Sequence, residues 1–228
     1  MKLTDKEVMN EINQHRVIII AGTTTGRTRI RKLLVENLGQ QRIIDTRNYI
    51  RNQYLQSQKD GRLIEVYPCY MIHRKEEYKK LCSLLDILKR KKKPVIVDSF
   101  SDIQLLVRSE FIRTVGRKVD EHNFQVYDRD WNIYKRMLKV ILIKLKKQKK
   151  KVILFADLKE ETEFKNNKLV HIGEKPVINQ IFIHEADLII LADDNDNTLI
   201  KSSNKLGMLH IEPSGLGMGK LTTRKVKP

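Results

Sequence analysis

The sequence predicts an α/β protein: a mostly parallel, twisted sheet with helices on both faces and an antiparallel C-terminal edge. Three observations predict it. Runs of β-branched and aliphatic residues recur along the chain: VIIIA at Val17–Ala21, PVIVD at Pro94–Asp98, VILFA at Val152–Ala156 and ADLIIL at Ala186–Leu191. Between them lie segments whose apolar residues repeat at helical spacing. The tail from Thr198 holds short strand-like pieces punctuated by Gly215, Gly217 and Gly219, which suits turns at a sheet edge.

Taken in order, Thr4 to Glu7 (T-D-K-E) is a capping-box signature for a short helix within residues 1–14. Val17–Ala21 is the first strand, and a helix is predicted over 27–38. Arg42–Asp45 and Leu63–Tyr67 read as short strands, and His73–Lys89 as an amphipathic helix. Pro94–Asp98 is a central strand. A mixed segment over Ser101–Asp130 precedes a long helix at Trp131–Lys147, with Ile133, Met137, Val140, Ile141 and Leu145 on its apolar side and Trp131 as a packing anchor. Val152–Ala156 and Ala186–Leu191 are core strands flanking a connecting segment. No internal repeat or Pro/Ser linker divides the chain, so it reads as one domain over 1–228, with the tail at 198–228.

Composition bounds the function. In 228 residues, Lys+Arg 45 against Asp+Glu 28 gives a net charge of +17, which favours polyanionic partners, most simply nucleic acid. Cys69 and Cys82 alone suit a reducing compartment and argue against a disulfide framework or a zinc site. The six histidines show no ligand spacing, and His171 and His184 read as surface residues or as supports behind a site rather than as ligands. No apolar run approaches the roughly 18 residues of a membrane span. The charged N-terminus is unlike a signal peptide, so a cytoplasmic location is expected.

The segment Ala21–Thr28, AGTTTGRT, carries the chemistry. Strand, small-residue loop and basic helix make the architecture of a phosphate-cradling P-loop, whose pattern is Gly, four residues, then Gly-Lys-[Ser/Thr]. Ala21 holds the first Gly position, Gly26 the second, Arg27 that of the lysine and Thr28 that of the magnesium-side hydroxyl. Backbone N–H groups of Gly22, Thr23, Thr24, Thr25 and Gly26 would form the anion cradle, with Arg27 and Arg29 as cations and the helix dipole behind them. A guanidinium is a planar fork where an ammonium is a point charge, so Arg27 is not a conservative replacement. Asp98 ends the VIVD strand where an acid can hold magnesium together with Thr28. Asp45 ends the RIID strand and is the candidate to orient an attacking water, or else a helix cap. GLGMGK at Gly215–Lys220 lacks the strand and helix of a phosphate loop and reads as a turn.

The order of P-loop, acid-tipped strand, VIVDS, Trp-led helix, VILFADLKEE, PVINQIFIHEAD and LIILADD resembles the RecA-like ATPase core over residues 15–225. It most resembles the phage RecA-like nucleotide-binding proteins of single-strand annealing and recombination. The resemblance implies ATP and Mg2+ as cofactors, single-stranded DNA as partner and a homo-oligomer. It places Asp157 where the family carries a polar γ-phosphate sensor, usually Gln or His, and an acid there disfavours fast hydrolysis. It implies DNA-binding loops at Ser101–Asp130, with Arg108, Arg113, Arg117 and Lys118, and at Leu158–Lys175, with Phe164, Lys165 and Lys168. Lys220 and Arg224 are the implied cations reaching a neighbouring subunit's nucleotide.

Three functions follow from this reading: a nucleotide-responsive DNA-binding protein with weakened hydrolysis, a pseudo-ATPase DNA-binding scaffold, and a small-molecule P-loop kinase. The last rests on DGRLIEV and lacks an arginine-rich lid. Two lysine runs, Lys89–Lys93 and Lys146–Lys151, each precede a core strand. Parallel strands all start on one edge of the sheet, so both runs are expected to converge on the edge opposite the P-loop, where they read either as charged helix ends or as a second polyanion surface.

Overall fold

The computed structural model describes residues 1–47, 64–68, 77–90, 93–118, 124–165, 168–202, 210–212 and 220–222. Its elements are β1 (Lys2–Leu3), α1 (Asp5–Gln14), β2 (Val17–Gly22), α2 (Thr24–Asn37), β3 (Gln41–Asp45), β4 (Ile64–Pro68), α3 (Glu77–Leu88), β5 (Val95–Asp98) and α4 (Phe100–Val115). There follow β6 (Arg117–Lys118), β7 (Phe124–Gln125), a 3-10 turn at Asp128–Asp130, α5 (Trp131–Lys146), β8 (Val152–Lys165), β9 (Lys168–Pro176), α6 (Gln180–Glu185), β10 (Leu188–Ala192), β11 (Asn197–Ser202), β12 (His210–Glu212) and β13 (Lys220–Thr222). They pack as two compact units, Met1–Gly39 with Ile153–Pro228, and Gln40–Val152.

In the first unit the strands lie in the order β1-β11-β10-β2-β8. β10 runs parallel to β2, from Leu188 opposite Ile18 to Ala192 opposite Gly22. Every residue of β2 is buried, which explains its unbroken aliphatic run. β11 folds back antiparallel on β10, and β1 adds antiparallel to β11, giving the antiparallel edge. The T-D-K-E capping box is formed: Thr4 caps Glu7 and the Glu7 carboxylate returns to Thr4, so α1 starts there and buries Val8, Met9 and Ile12. At its far end His15 lies 2.7 Å from Glu11 O through Nδ1 and 3.1 Å from Ser202 Oγ through Nε2. That buried contact ties α1 to β11.

One expectation in this unit is corrected. Leu158–Lys175 is not a loop but most of an antiparallel ribbon: β8 continues past Asp157 and pairs with β9 from Leu158 opposite Pro176 to Lys165 opposite Lys168. Backbone pairing satisfies the chain there although the sequence is strongly charged.

In the second unit β3 lies between β4 and β5, parallel to both. A second correction falls here. The segment after β5 is not a loop, because Phe100–Val115 is helix α4. Phe100, Ile103, Leu106, Val107 and Phe111 are all buried at helical spacing, a period present in the sequence. Phe111 then meets Trp131 and Tyr134, with ring centroids 5.2 and 5.5 Å apart, so Trp131 does anchor the start of α5. Arg42 is fully buried and donates to Leu88 O and Lys93 O, both at 2.7 Å. It thereby satisfies carbonyls after α3 that no helix bond reaches, and burial pulls its pKa below the ordinary value.

Half-buried Cys82 on α3 has its thiol pushed above the ordinary range by burial, against weaker lowering from the Tyr78 hydroxyl and the Lys144 charge. In a Cys69→Ser background, Cys82 should be alkylated by iodoacetamide near neutral pH more slowly than a free thiol, because the thiolate is the nucleophile. Mass spectrometry of timed samples checks this.

Candidate functional site

The strand-to-helix corner of the first unit is tighter than the sequence suggests. The helix predicted from residue 27 starts at Thr24, so the expected loop over Gly22, Thr23, Thr24, Thr25 and Gly26 shrinks to Thr23 alone. Thr23 is the N-cap. Its Oγ1 accepts the Gly26 N–H at 3.0 Å and donates to Asp194 Oδ1 at 2.6 Å, while its own N–H donates to Ala192 O at 3.2 Å.

The glycines have a packing role here. A Cβ on Gly22 or on Gly26 would sit 2.1 Å from Ala192 O, so both allow the corner to close against the end of β10. Gly26 lies within α2, in its first turn.

The three arginines of α2 are engaged internally. Arg27 is 3% exposed, and its Nη1 lies 2.5 Å from Asp157 Oδ1 at the end of the VILFA segment. The approach is off the N–H direction, so it is an ion pair more than an aligned hydrogen bond. Arg29 donates to Asp5 Oδ1 at 2.9 Å, Asn197 Oδ1 at 3.0 Å and Asp193 O at 3.1 Å, clamping α2 to α1 and to the β10–β11 turn. Arg31 donates to Thr28 Oγ1 at 3.2 Å and lies 5.2 Å over the Phe155 ring. The Thr28 hydroxyl donates in turn to Thr24 O at 2.8 Å.

A magnesium–triphosphate does not fit the corner in this conformation. The backbone that would wrap a phosphate is helix, Arg27 already has a carboxylate, and the Thr28 hydroxyl is spent on its own helix. The physical reason is charge satisfaction: an acid at 157 supplies from within the negative charge that a phosphate would bring.

The second unit carries the other acids. Asp45 and Asp98 end adjacent parallel strands in register, and neither is exposed to solvent. Asp45 Oδ1 accepts the Arg47 N–H at 3.0 Å, so it caps the turn that follows. Asp98 is joined by a cis peptide to Ser99. Thr46 closes the group. Its N–H donates to Asp98 O at 2.9 Å, and its Oγ1 accepts the Ser99 N–H at 2.7 Å and donates to Asp102 Oδ2 at 2.8 Å. Arg47 grips both oxygens of Asp102, at 2.5 and 2.9 Å. Among the described residues, no three His, Cys, Asp or Glu side chains group as a metal site.

Of the expected DNA contacts, Arg108 is exposed on α4, and Arg113 on the same helix pairs with Glu110 at 2.8 Å. Arg117 and Lys118 form β6, paired with β7. Phe164, Lys165 and Lys168 stand at the tip of the β8–β9 ribbon, with Phe164 opposite Leu169. Lys220 lies in β13, paired with β12, and Arg224 lies outside the described residues. Sequence reasoning missed Asp5, Asp194 and Asn197 around α2, and Thr46, Arg47 and Asp102 beside Asp98. Asp5 lies within the T-D-K-E segment but acts on Arg29 of α2, and Asp194, Asn197, Thr46, Arg47 and Asp102 likewise make their contacts at the site with partners distant in the chain.

No family model matches the chain, and no curated protein matches it. Among solved structures it is similar to a RadB recombinase, with 14% identity over 82% of this chain and 81% of that one and a TM-score of 0.48. Among the described residues no helix is long and apolar enough to cross a membrane.

Proposed function

We propose that this chain is a nucleic-acid-binding protein of recombination or annealing, on a RecA-like core whose phosphate site is held shut by its own side chains. The Arg27–Asp157 ion pair carries this reading. The cation that would meet a γ-phosphate is buried against an acid, while the net charge of +17 leaves the chain strongly attractive to polyanions. ATP and Mg2+ would then bind only after that pair opens, and hydrolysis would be negligible. In the first unit the ribbon tip carries Phe164, Lys165 and Lys168, a ring and cations of the kind a single strand needs; in the second unit Arg108 is exposed on α4. Copies of the chain would line up along the strand, with Lys220 and Arg224 of each tail meeting the next copy.

The test is ATP turnover with and without single-stranded DNA, run beside fluorescence anisotropy of a labelled oligonucleotide. The expected result is salt-sensitive binding, background turnover and no change of DNA affinity on adding Mg-ATP. DNA-stimulated turnover would establish a working motor instead, and phosphoryl transfer to a nucleoside monophosphate would establish a kinase.

A further inference from the structure

Two cationic turns meet at one end of the second unit. One follows α3 and holds Lys89, Arg90 and Lys93; the other follows α5 and holds Lys147, Lys149 and Lys150, flanked by Lys146 and Lys151. The fold ties them together. Buried Gln148, within the second turn, donates from Nε2 to Leu85 O of α3 at 2.9 Å, and the Val95 N–H, just past the first turn, donates to Lys151 O at 2.9 Å. The two helices run side by side in one direction. The Tyr78 hydroxyl reaches Met137 O at 3.4 Å toward their starts, and Asp86 pairs with Lys144 toward their ends. Both C-termini therefore open onto the same patch.

Magnitudes decide between the two readings of these lysines. Helix C-termini attract cations, but each carries only about half a negative charge. Lys93 is held by Glu65 at 2.8 Å, and Lys144 by Asp86. Lys89, Arg90, Lys147, Lys149 and Lys150 make no ion pair among the described residues, and all but Lys89 are exposed. Against those five cations the two helix ends offset about one charge, leaving about four. The crowding is visible in the titrating groups. Asp86 is held below the usual carboxylate range first by the Lys144 hydrogen bond, then by the charges of Lys144, Lys89 and Lys147, so cations of both turns act on one point. Half-buried Lys151 is pulled below its ordinary value by burial and by Lys150.

Concentrated like charge costs folding stability unless a polyanion uses it. The two runs contain no aromatic ring to stack on a base and no apolar residue to enter a bilayer. Exposed Ile87 and Ile143 lie on the helices ahead of the turns. We infer that these two adjoining turns form a nucleic-acid surface that holds the phosphate backbone without reading sequence, in addition to the contacts of α4 and the β8–β9 ribbon. The surface rests on the nucleic-acid reading above.

The test uses the full chain with Lys89→Gln, Arg90→Gln, Lys147→Gln, Lys149→Gln and Lys150→Gln combined. Anisotropy of a labelled oligo-dT is followed across a salt series. The slope of log K against log salt should shrink by about 2 to 3, at about 0.7 per lost phosphate contact on a single strand. Lysine or arginine of unchanged charge at the same positions (Lys→Arg) should keep the full slope. Should the fivefold variant fold poorly by circular dichroism, Lys149→Gln with Lys150→Gln alone should still lower the slope by about 1. An unchanged slope in the folded Gln variants overturns the surface while leaving the general reading intact. A wild-type chain that binds no oligonucleotide overturns both. Wild-type binding to anionic vesicles that the Gln variant loses, with its oligonucleotide slope unchanged, overturns it in favour of a membrane.

Discussion

Gly26→Ala is expected to destabilise the protein by about 3 kcal/mol, the upper end of what overpacking a close-fitted site costs. Helix propensity alone predicts the opposite sign. Alanine inside a helix is better than glycine by about 1 kcal/mol. The added Cβ would stand 2.1 Å from Ala192 O, a backbone atom that cannot rotate aside. Moving it also disturbs the Thr23 N–H bond to the same oxygen, and Gly22 is subject to the same clash. Denaturant unfolding followed by circular dichroism reads the effect directly. The sign is diagnostic. A glycine kept only for a phosphate would leave stability unharmed or improved on replacement, whereas a glycine kept for the closure of α2 on β10 must lower it.

Asp157→Asn should have the other large effect, on stability and on anion binding at once. It leaves Arg27, 3% exposed, without a counter-charge, and breaking one side of a buried ion pair costs about 3 kcal/mol or more. The Asp157 side chain keeps 22% exposure, which places the expected loss at the lower end of that range. The same change frees a guanidinium for an external anion. Mg-ATP or inorganic triphosphate should then raise the melting temperature of Asp157→Asn markedly and that of the wild type little, because a ligand stabilises only the state it binds. Equal shifts in the two proteins would mean that Asp157 does not hold the site shut. Arg27→Gln in the same background should abolish the ligand response while leaving oligonucleotide binding in place.

How much of this was legible beforehand varies by element. β2, β5 and β10 were readable because a buried strand imposes an unbroken apolar run, and α5 because its apolar residues recur at helical spacing; that reading placed Val140 on the apolar side, where it is exposed, and passed over buried Leu138 and Leu142. The T-D-K-E box fixed the start of α1 for a similarly local reason, since both halves of the cap lie within one turn. Helix α4 carried the same kind of signal, yet the resemblance to the RecA-like core implied a DNA-binding loop there. The β8–β9 ribbon carried almost none: its charged sequence pairs through the backbone, and backbone pairing leaves little mark on composition. The corner at Thr23 was misplaced: the P-loop pattern suggested a loop as far as Gly26, whereas the helix starts at Thr24.

The sequence by itself determined the α/β class, the central strands and the excess of positive charge, because each follows from residue type and local spacing. Only the tertiary structure decided what the AGTTTGRT corner does. Whether Arg27 faces a ligand or Asp157, and whether Gly26 admits a phosphate or Ala192, both depend on residues distant in the chain. Electrostatic and steric contacts act through space, so no local reading contains them.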